Sequence, residues 1–332
     1  MRQANTFACL IFMSGFMNRF LALTLTLGIL AGSAAAQSGT RAAATDASSA
    51  TQRGIRLVDE GRCQEALPVL KKATPLTSDK QLKINAGLAM VRCGLQSNQT
   101  EAAVSALLWL NREFPTDPDV LYVTTHAFSD LSTRAALQLA TTAPLSTQAR
   151  ELNAESLESQ GKWDEAAAQY NLILKQQPGL QGIHYRLGRI ILSKPPAPTT
   201  ADDARSEFQA ELKINPHNAG AEYVLGELSR QAQQWDDAIE HFSRASSLDA
   251  SFADAFLGLG FALNSVTRYA EAIPPLQTGV KLQPENPTGH YQLAIAYNGV
   301  GRKEDAKREV RLQKEAEEKI EQARQKASEV PQ

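Results

Sequence analysis

Aromatic residues make up only 6% of the 332 residues, and long β-branched runs are missing, which excludes a strand-built fold. Neither charge sign is in excess: 34 Lys and Arg stand against 36 Asp and Glu, a net charge of −2. No basic field is present to attract nucleic acid. Motifs that carry chemistry are also missing. The chain has no Gly-x-Ser-x-Gly elbow and no phosphate loop ending in Gly-Lys-Ser/Thr. Its five histidines (126, 184, 217, 241 and 290) form no i,i+4 pair and have no neighbouring cysteine, which argues against zinc. The pairs Asp202-Asp203 and Asp236-Asp237 fall at helix starts, where they complement the positive helix end. These absences predict a chain with no catalytic residues, no cofactor and no metal.

What is present is 43% hydrophobic and 21% charged residues, rich in the helix formers Ala, Leu, Gln and Glu. Residues 1–36 read as a leader peptide. Arg2 and Arg19 face no acid, Leu21 to Ala31 is a short apolar run, and Ala34-Ala35-Ala36 is a small-residue cleavage site. Removal after Ala36 makes the protein exported, periplasmic or secreted, with no stable membrane span left. Met17 is an alternative start. Residues 37–50 are small and polar and read as a flexible leader.

From Thr51 a repeat emerges. Leu225-Gly226, Leu259-Gly260 and Leu293-Ala294 recur at a spacing of 34 residues, as do Ala238, Ala272 and Ala306. Gly161-Lys162-Trp163-Asp164-Glu165-Ala166 opens the same pattern upstream, and Gly61-Arg62-Cys63-Gln64-Glu65-Ala66 opens it again. The Pro-rich stretch Ser193–Thr200 carries four extra residues. Each unit reads as helix, turn, helix. A small residue admits the neighbouring helix, and a proline such as Pro178, Pro216 or Pro284 stops the second helix. Eight helix pairs are predicted, starting near 47, 80, 118, 147, 181, 219, 253 and 287, with 118–146 degenerate. Kinks are expected at Pro68 and Pro274-Pro275. Residues 51–146 then hold about three repeats, 147–320 hold five, and 321–332 are the end of a charged capping helix and a tail.

The Leu-Gly/Ala pairs, the Trp/Tyr column at 163, 235 and 269, the Ala column and the terminal prolines resemble the tetratricopeptide repeat family, in an exported bacterial form. That resemblance implies an all-α, right-handed superhelical solenoid of helix pairs with a C-terminal capping helix. It also implies a non-catalytic scaffold that binds a protein or peptide in a concave groove lined by the first helices. Mapped residue by residue, this face offers Glu151, Glu155 and Glu158, then Tyr185 and Arg189, then Tyr223, Glu227 and Arg230. Phe261 and Asn264 follow, then Tyr291 and Asn298. The three glutamates share one helix face and suggest an exposed acidic stripe. The Lys/Asn carboxylate clamp of chaperone-binding members is not matched. A glycan- or small-ligand-binding repeat module is the alternative.

Cys63 begins the second helix of the first unit and Cys93 ends the first helix of the second. Stacking brings these helix ends close, which permits a disulfide; two buried thiols are the other outcome.

Overall fold

The computed structural model describes residues 32–328, with side chains from Thr45 onward. The expected leader falls mostly on residues 1–31, outside the described residues. Among the described residues all regular structure is helical. The described residues divide into two compact units, with the division after Arg134. Each is built from helices packed in consecutive pairs, the arrangement of an α-solenoid.

The first unit contains α1 (Gly32–Asp59), α2 (Cys63–Ala73), a 3-10 turn (Thr74–Leu76), α3 (Lys80–Gln96), α4 (Thr100–Glu113) and the start of α5 (Pro118–Thr142). Residues 37–50 differ from expectation, because they are helical and belong to α1. Ala47 and Thr51 are buried, and the Ser48 hydroxyl pairs with that of Thr77 at 2.9 Å. Alanine is the best helix former, and here its small side chain also packs. The core joins Leu70, Ile84, Leu107 and Leu110. The Cys63 and Cys93 sulfurs are bonded, with Cα atoms 5.3 Å apart.

The segment 118–146 also departs from expectation. It forms one continuous helix, α5, instead of a short pair. No glycine or proline lies between Pro118 and Pro144 to break it. Without a paired second helix, Leu121 and Phe128 stay exposed.

The second unit holds five pairs: α6 (Thr147–Ser159) with α7 (Trp163–Gln176), α8 (Ile183–Ser193) with α9 (Thr200–Ile214), α10 (Ala219–Gln231) with α11 (Trp235–Leu248), α12 (Ala253–Ser265) with α13 (Tyr269–Leu282), and α14 (Pro287–Gly299) with α15 (Lys303–Ser328). Each helix packs on the next, and α10, α12 and α14 also touch directly. Helix α13 runs on through Pro274 and Pro275, as α2 does through Pro68. The charged C-terminal end is the continuation of α15, the polar final helix of the array. Its last buried residue is Ala316, so Ile320 and Ala323 lie exposed.

Local chemistry repeats with the fold. Ser146, Asn218 and Asn286 each stand one residue before a first helix, and each accepts an N–H from three residues on. These side chains satisfy donors that the helix leaves orphaned. The turn within a pair carries one left-handed residue in every pair except α8–α9, whose Pro-rich linker has none. Gly61, Gly161 and Gly301 supply it, but Gln233 and Thr267 also adopt φ near +58° and +60°. The small-residue column works as the periodicity requires. A Cβ on Gly188 or Gly226 would fall 2.8 Å from the ring of Phe208 or Phe242.

A further column ties the two helices of a pair. His184 meets Glu207 at 2.7 Å, His241 meets Glu222 at 2.6 Å, and His290 meets Glu309 at 2.8 Å. Both ring nitrogens of His290 face acceptors, the second being the Pro284 carbonyl at 3.1 Å. Three of the five histidines are thus structural ties between paired helices. Glu211 is fully buried and caps α8, both its oxygens accepting from the Gly182 N–H at 2.8 and 2.9 Å.

Candidate functional site

The first helices α10, α12 and α14 line a recess of about 350 Å³ in the second unit. Four expected residues meet there: Tyr223, Glu227 and Arg230 from α10, and Phe261 from α12. Helix α12 adds Asp254, Leu257 and Gly258. The start of α14 adds Asn286, Thr288, Gly289 and Gln292.

These side chains hold one another. Arg230 donates from Nη2 to Glu227 Oε2 at 2.8 Å and from Nε to both carboxylate oxygens at 3.1 Å. Its guanidinium also covers the Phe261 ring, 5.4 Å from the centroid. The Glu227 hydrogen bonds push the Arg230 pKa above its ordinary value. Tyr223 packs on Phe252 and Phe242, with centroids 4.8 and 5.7 Å away. Burial raises its phenol pKa to about 12, and the negative charges of Glu227 and Asp254 add to the effect while Arg230 opposes it. A charge-assisted pair and a packed aromatic group keep these rotamers set before any ligand arrives.

Polar groups remain for a ligand. Asn264 donates to the Gln292 carbonyl at 2.9 Å and to its Oε1 at 3.1 Å. The Gln292 Nε2 amide therefore has no partner among the described residues. Asp254 accepts from Gln283 through Oδ1, at 3.0 Å. Its Oδ2 has no partner among the described residues. The recess thus presents donors and acceptors around an apolar floor of Leu257 and Phe261. Its lining includes no Ser, Cys or His. Among the described residues no group of three or more His, Cys, Asp or Glu converges as metal ligands.

The other expected residues lie elsewhere. Asn264 is buried between α12 and α14 and does not line the recess. Glu155 and Glu158 do not form an open acidic stripe with Glu151. Arg186 pairs with them at 2.6 and 3.9 Å, and the buried Tyr170 hydroxyl donates to Glu158 at 2.6 Å. Burial first, then this hydrogen bond, raises the Tyr170 pKa. Tyr185 packs edge-on against Phe208, 5.6 Å between centroids. Arg189, Tyr291 and Asn298 are exposed.

Two of the recess residues that sequence reasoning missed, Gly258 and Gln292, share a signal with Arg186 of α8. Arg186, Gly258 and Gln292 occupy one repeat column, five residues after the unit starts at 181, 253 and 287. That column directly follows the one holding Tyr185, Tyr223 and Tyr291.

Comparison with known proteins places the repeats. A family model described as tetratricopeptide repeat matches residues 130–180, 201–251 and 223–287. The small glutamine-rich tetratricopeptide repeat-containing protein 2 of Mycosarcoma maydis is 35% identical over 75 residues, covering 23% of this chain. The chain spans about a fifth of that relative's length, 21%. Among solved structures, MamA is similar at TM-score 0.46 and 23% identity, over 51% of this chain and 96% of its own. YrrB, titled a tetratricopeptide repeat protein with an unusual peptide-binding site, is similar at TM-score 0.47 and 18% identity. That similarity covers 55% of this chain and 92% of YrrB. No described helix is long and apolar enough to cross a membrane.

Proposed function

We propose that this chain is a non-catalytic interaction scaffold, exported to the cell envelope or beyond, that holds a peptide segment of a partner protein in the α10–α12–α14 recess. The observation that carries this reading is the preset Tyr223–Glu227–Arg230–Phe261 group beside the unpaired amide of Gln292. An extended peptide offers alternating N–H and C=O groups, which suit Gln292 as donor and Asp254 as acceptor. Tyrosine and arginine are also the side chains that most often anchor protein interfaces. The glycan alternative requires an open aromatic face. Arg230 covers Phe261, and Tyr223 lies against two phenylalanines, so the peptide reading is favoured.

The test is site-specific photo-crosslinking in cells, with the reactive amino acid placed at Thr288 in the recess or at the exposed Glu240 on α11. Protein adducts should form from position 288, not from 240, and should disappear in Arg230→Ala. Equal adducts from both positions, or adducts indifferent to Arg230→Ala, refute the groove assignment. A melting temperature raised by oligosaccharides and unmoved by peptides favours the glycan alternative.

A further inference from the structure

The first unit contains a second recess, on different helices and of different chemistry. It lies between α2 and α4, encloses about 500 Å³, and falls in the usual range for small-molecule sites of about 300–1,000 Å³. Leu67, Met90, Ala106 and Trp109 give it an apolar lining. No acidic side chain lines it, and Lys71 is its one charged residue. Lys71 forms no ion pair among the described residues and stands exposed at the rim.

Thr74 supplies an independent observation. It lines the recess and is fully buried, yet its Oγ1 has no hydrogen-bond partner among the described residues. Thr74 follows Lys71 by three residues, so the two share one helix face. A buried hydroxyl without an acceptor destabilises the free protein, and such groups are uncommon. Pro68, also in the lining, has no N–H to give the Gln64 carbonyl one turn back, so α2 gives up a further hydrogen bond at the same place.

We propose that this recess binds a small apolar monoanion of the fatty-acid or aromatic-acid class. The apolar body packs on Leu67, Met90 and Trp109. The carboxylate takes the Thr74 O–H and the charge of Lys71, the single cation on an otherwise uncharged lining. Charge complementarity sets the sign of the ligand, and the buried hydroxyl sets the need for an acceptor.

The test titrates the full chain with sodium decanoate and, separately, with decanol, read by calorimetry and by tryptophan fluorescence. Decanoate should saturate below about 1 mM and bind more tightly than decanol by roughly tenfold or more, the worth of a charge-assisted hydrogen bond. Lys71→Gln should erase the preference for decanoate over decanol. Ala102→Leu, which fills the recess, should weaken both probes. Thr74→Val is the discriminating variant, because it should raise the melting temperature of the free protein and weaken decanoate. No saturation by decanoate, or equal affinities for decanoate and decanol, overturns the proposal. A Thr74→Val protein that is less stable and binds decanoate unchanged also overturns it. If Thr74→Val does not fold, the Lys71→Gln and Ala102→Leu arms decide. None of these variants touches the α10–α14 recess, so failure here leaves the peptide reading intact.

Discussion

Gly260→Ala tests the packing rule on which the second unit depends. A Cβ at position 260 would come within 2.5 Å of Leu276 Cδ2 and closer still to its Cγ. Favourable carbon contacts lie at about 3.5–4.0 Å. Leu276 is fully buried, so it has no solvent to swing into. Replacing a helical glycine by alanine alone favours the helix by about 1 kcal/mol. Overpacking a full core costs about 1–3 kcal/mol, and this overlap belongs at the upper end. The net expectation is a loss of about 1–2 kcal/mol, against the gain that propensity alone predicts. Leu276→Ala by itself should cost about 3–4 kcal/mol as a cavity mutation. In the double variant the methyl introduced at position 260 enters space that Leu276 has left. The double should therefore be less damaged than the sum of the singles by about 1 kcal/mol or more. Gly179→Ala is the control, because nothing lies within 4 Å of its added Cβ. Urea unfolding followed by circular dichroism gives all four values. A Gly260→Ala protein as stable as the parent, with additive singles, would show that the small column is not a packing contact.

Four further expectations rest on other contacts. Thr267→Gly should stabilise by about 1 kcal/mol, because a β-branched residue at φ +60° carries strain that glycine lacks; an unchanged melting temperature would contradict this. Replacing both Cys63 and Cys93 by serine opens a loop spanning 30 residues and should cost about 3–4 kcal/mol in urea, a loss that reductant should reproduce in the parent. Glu211→Ala leaves the Gly182 N–H at the start of α8 unpaired and should cost about 2–3 kcal/mol, whereas a loss below about 0.5 kcal/mol would mean that water replaces the carboxylate. Tyr223 has its folded pKa raised to about 12 from 10, so its contribution to stability is complete below pH 10 and is lost as pH climbs through 12. Tyr223→Phe should flatten that alkaline decline, and an identical decline in both proteins would assign it to other groups.

Most of the second unit could be read from spacing alone, because its packing depends on residue size at fixed columns. Gly226, Gly260 and Ala294 each stand seven residues into a first helix, and those helices begin at Ala219, Ala253 and Pro287. Where size and punctuation fall silent, the reading fails. Helix α5 has no glycine or proline to mark a turn, so the periodicity predicts a repeat boundary where the backbone simply continues. Residues 37–50 look featureless because Ala, Ser and Thr are small. Small side chains suit a flexible segment and a closely packed helix equally, and only the burial of Ala47 and Thr51 separates the two. The placement of Asn264 outside the recess has a different cause. A face assignment fixes the direction of Cβ, but the side-chain amide follows its hydrogen bonds, and Gln292 draws it inward.

The location of the recess follows from one column more than from the anchors themselves. Tyrosine precedes that column at 185, 223 and 291, so aromatic anchors do not distinguish one pair of units from another. On α8 the column holds Arg186, whose guanidinium takes up the charge of Glu155 and Glu158, so that face is internally paired. On α12 it holds Gly258. A Cβ there would fall 2.7 Å from Phe242 Cε1, so only glycine admits the Phe242 ring on which Tyr223 rests. On α14 it holds Gln292, which lines the recess with Oε1 tied to Asn264 and Nε2 unpaired among the described residues. The same backbone geometry therefore gives a self-satisfied surface where the column carries a long cation. Where it carries nothing, or a half-paired amide, the geometry leaves a recess with unspent hydrogen bonds.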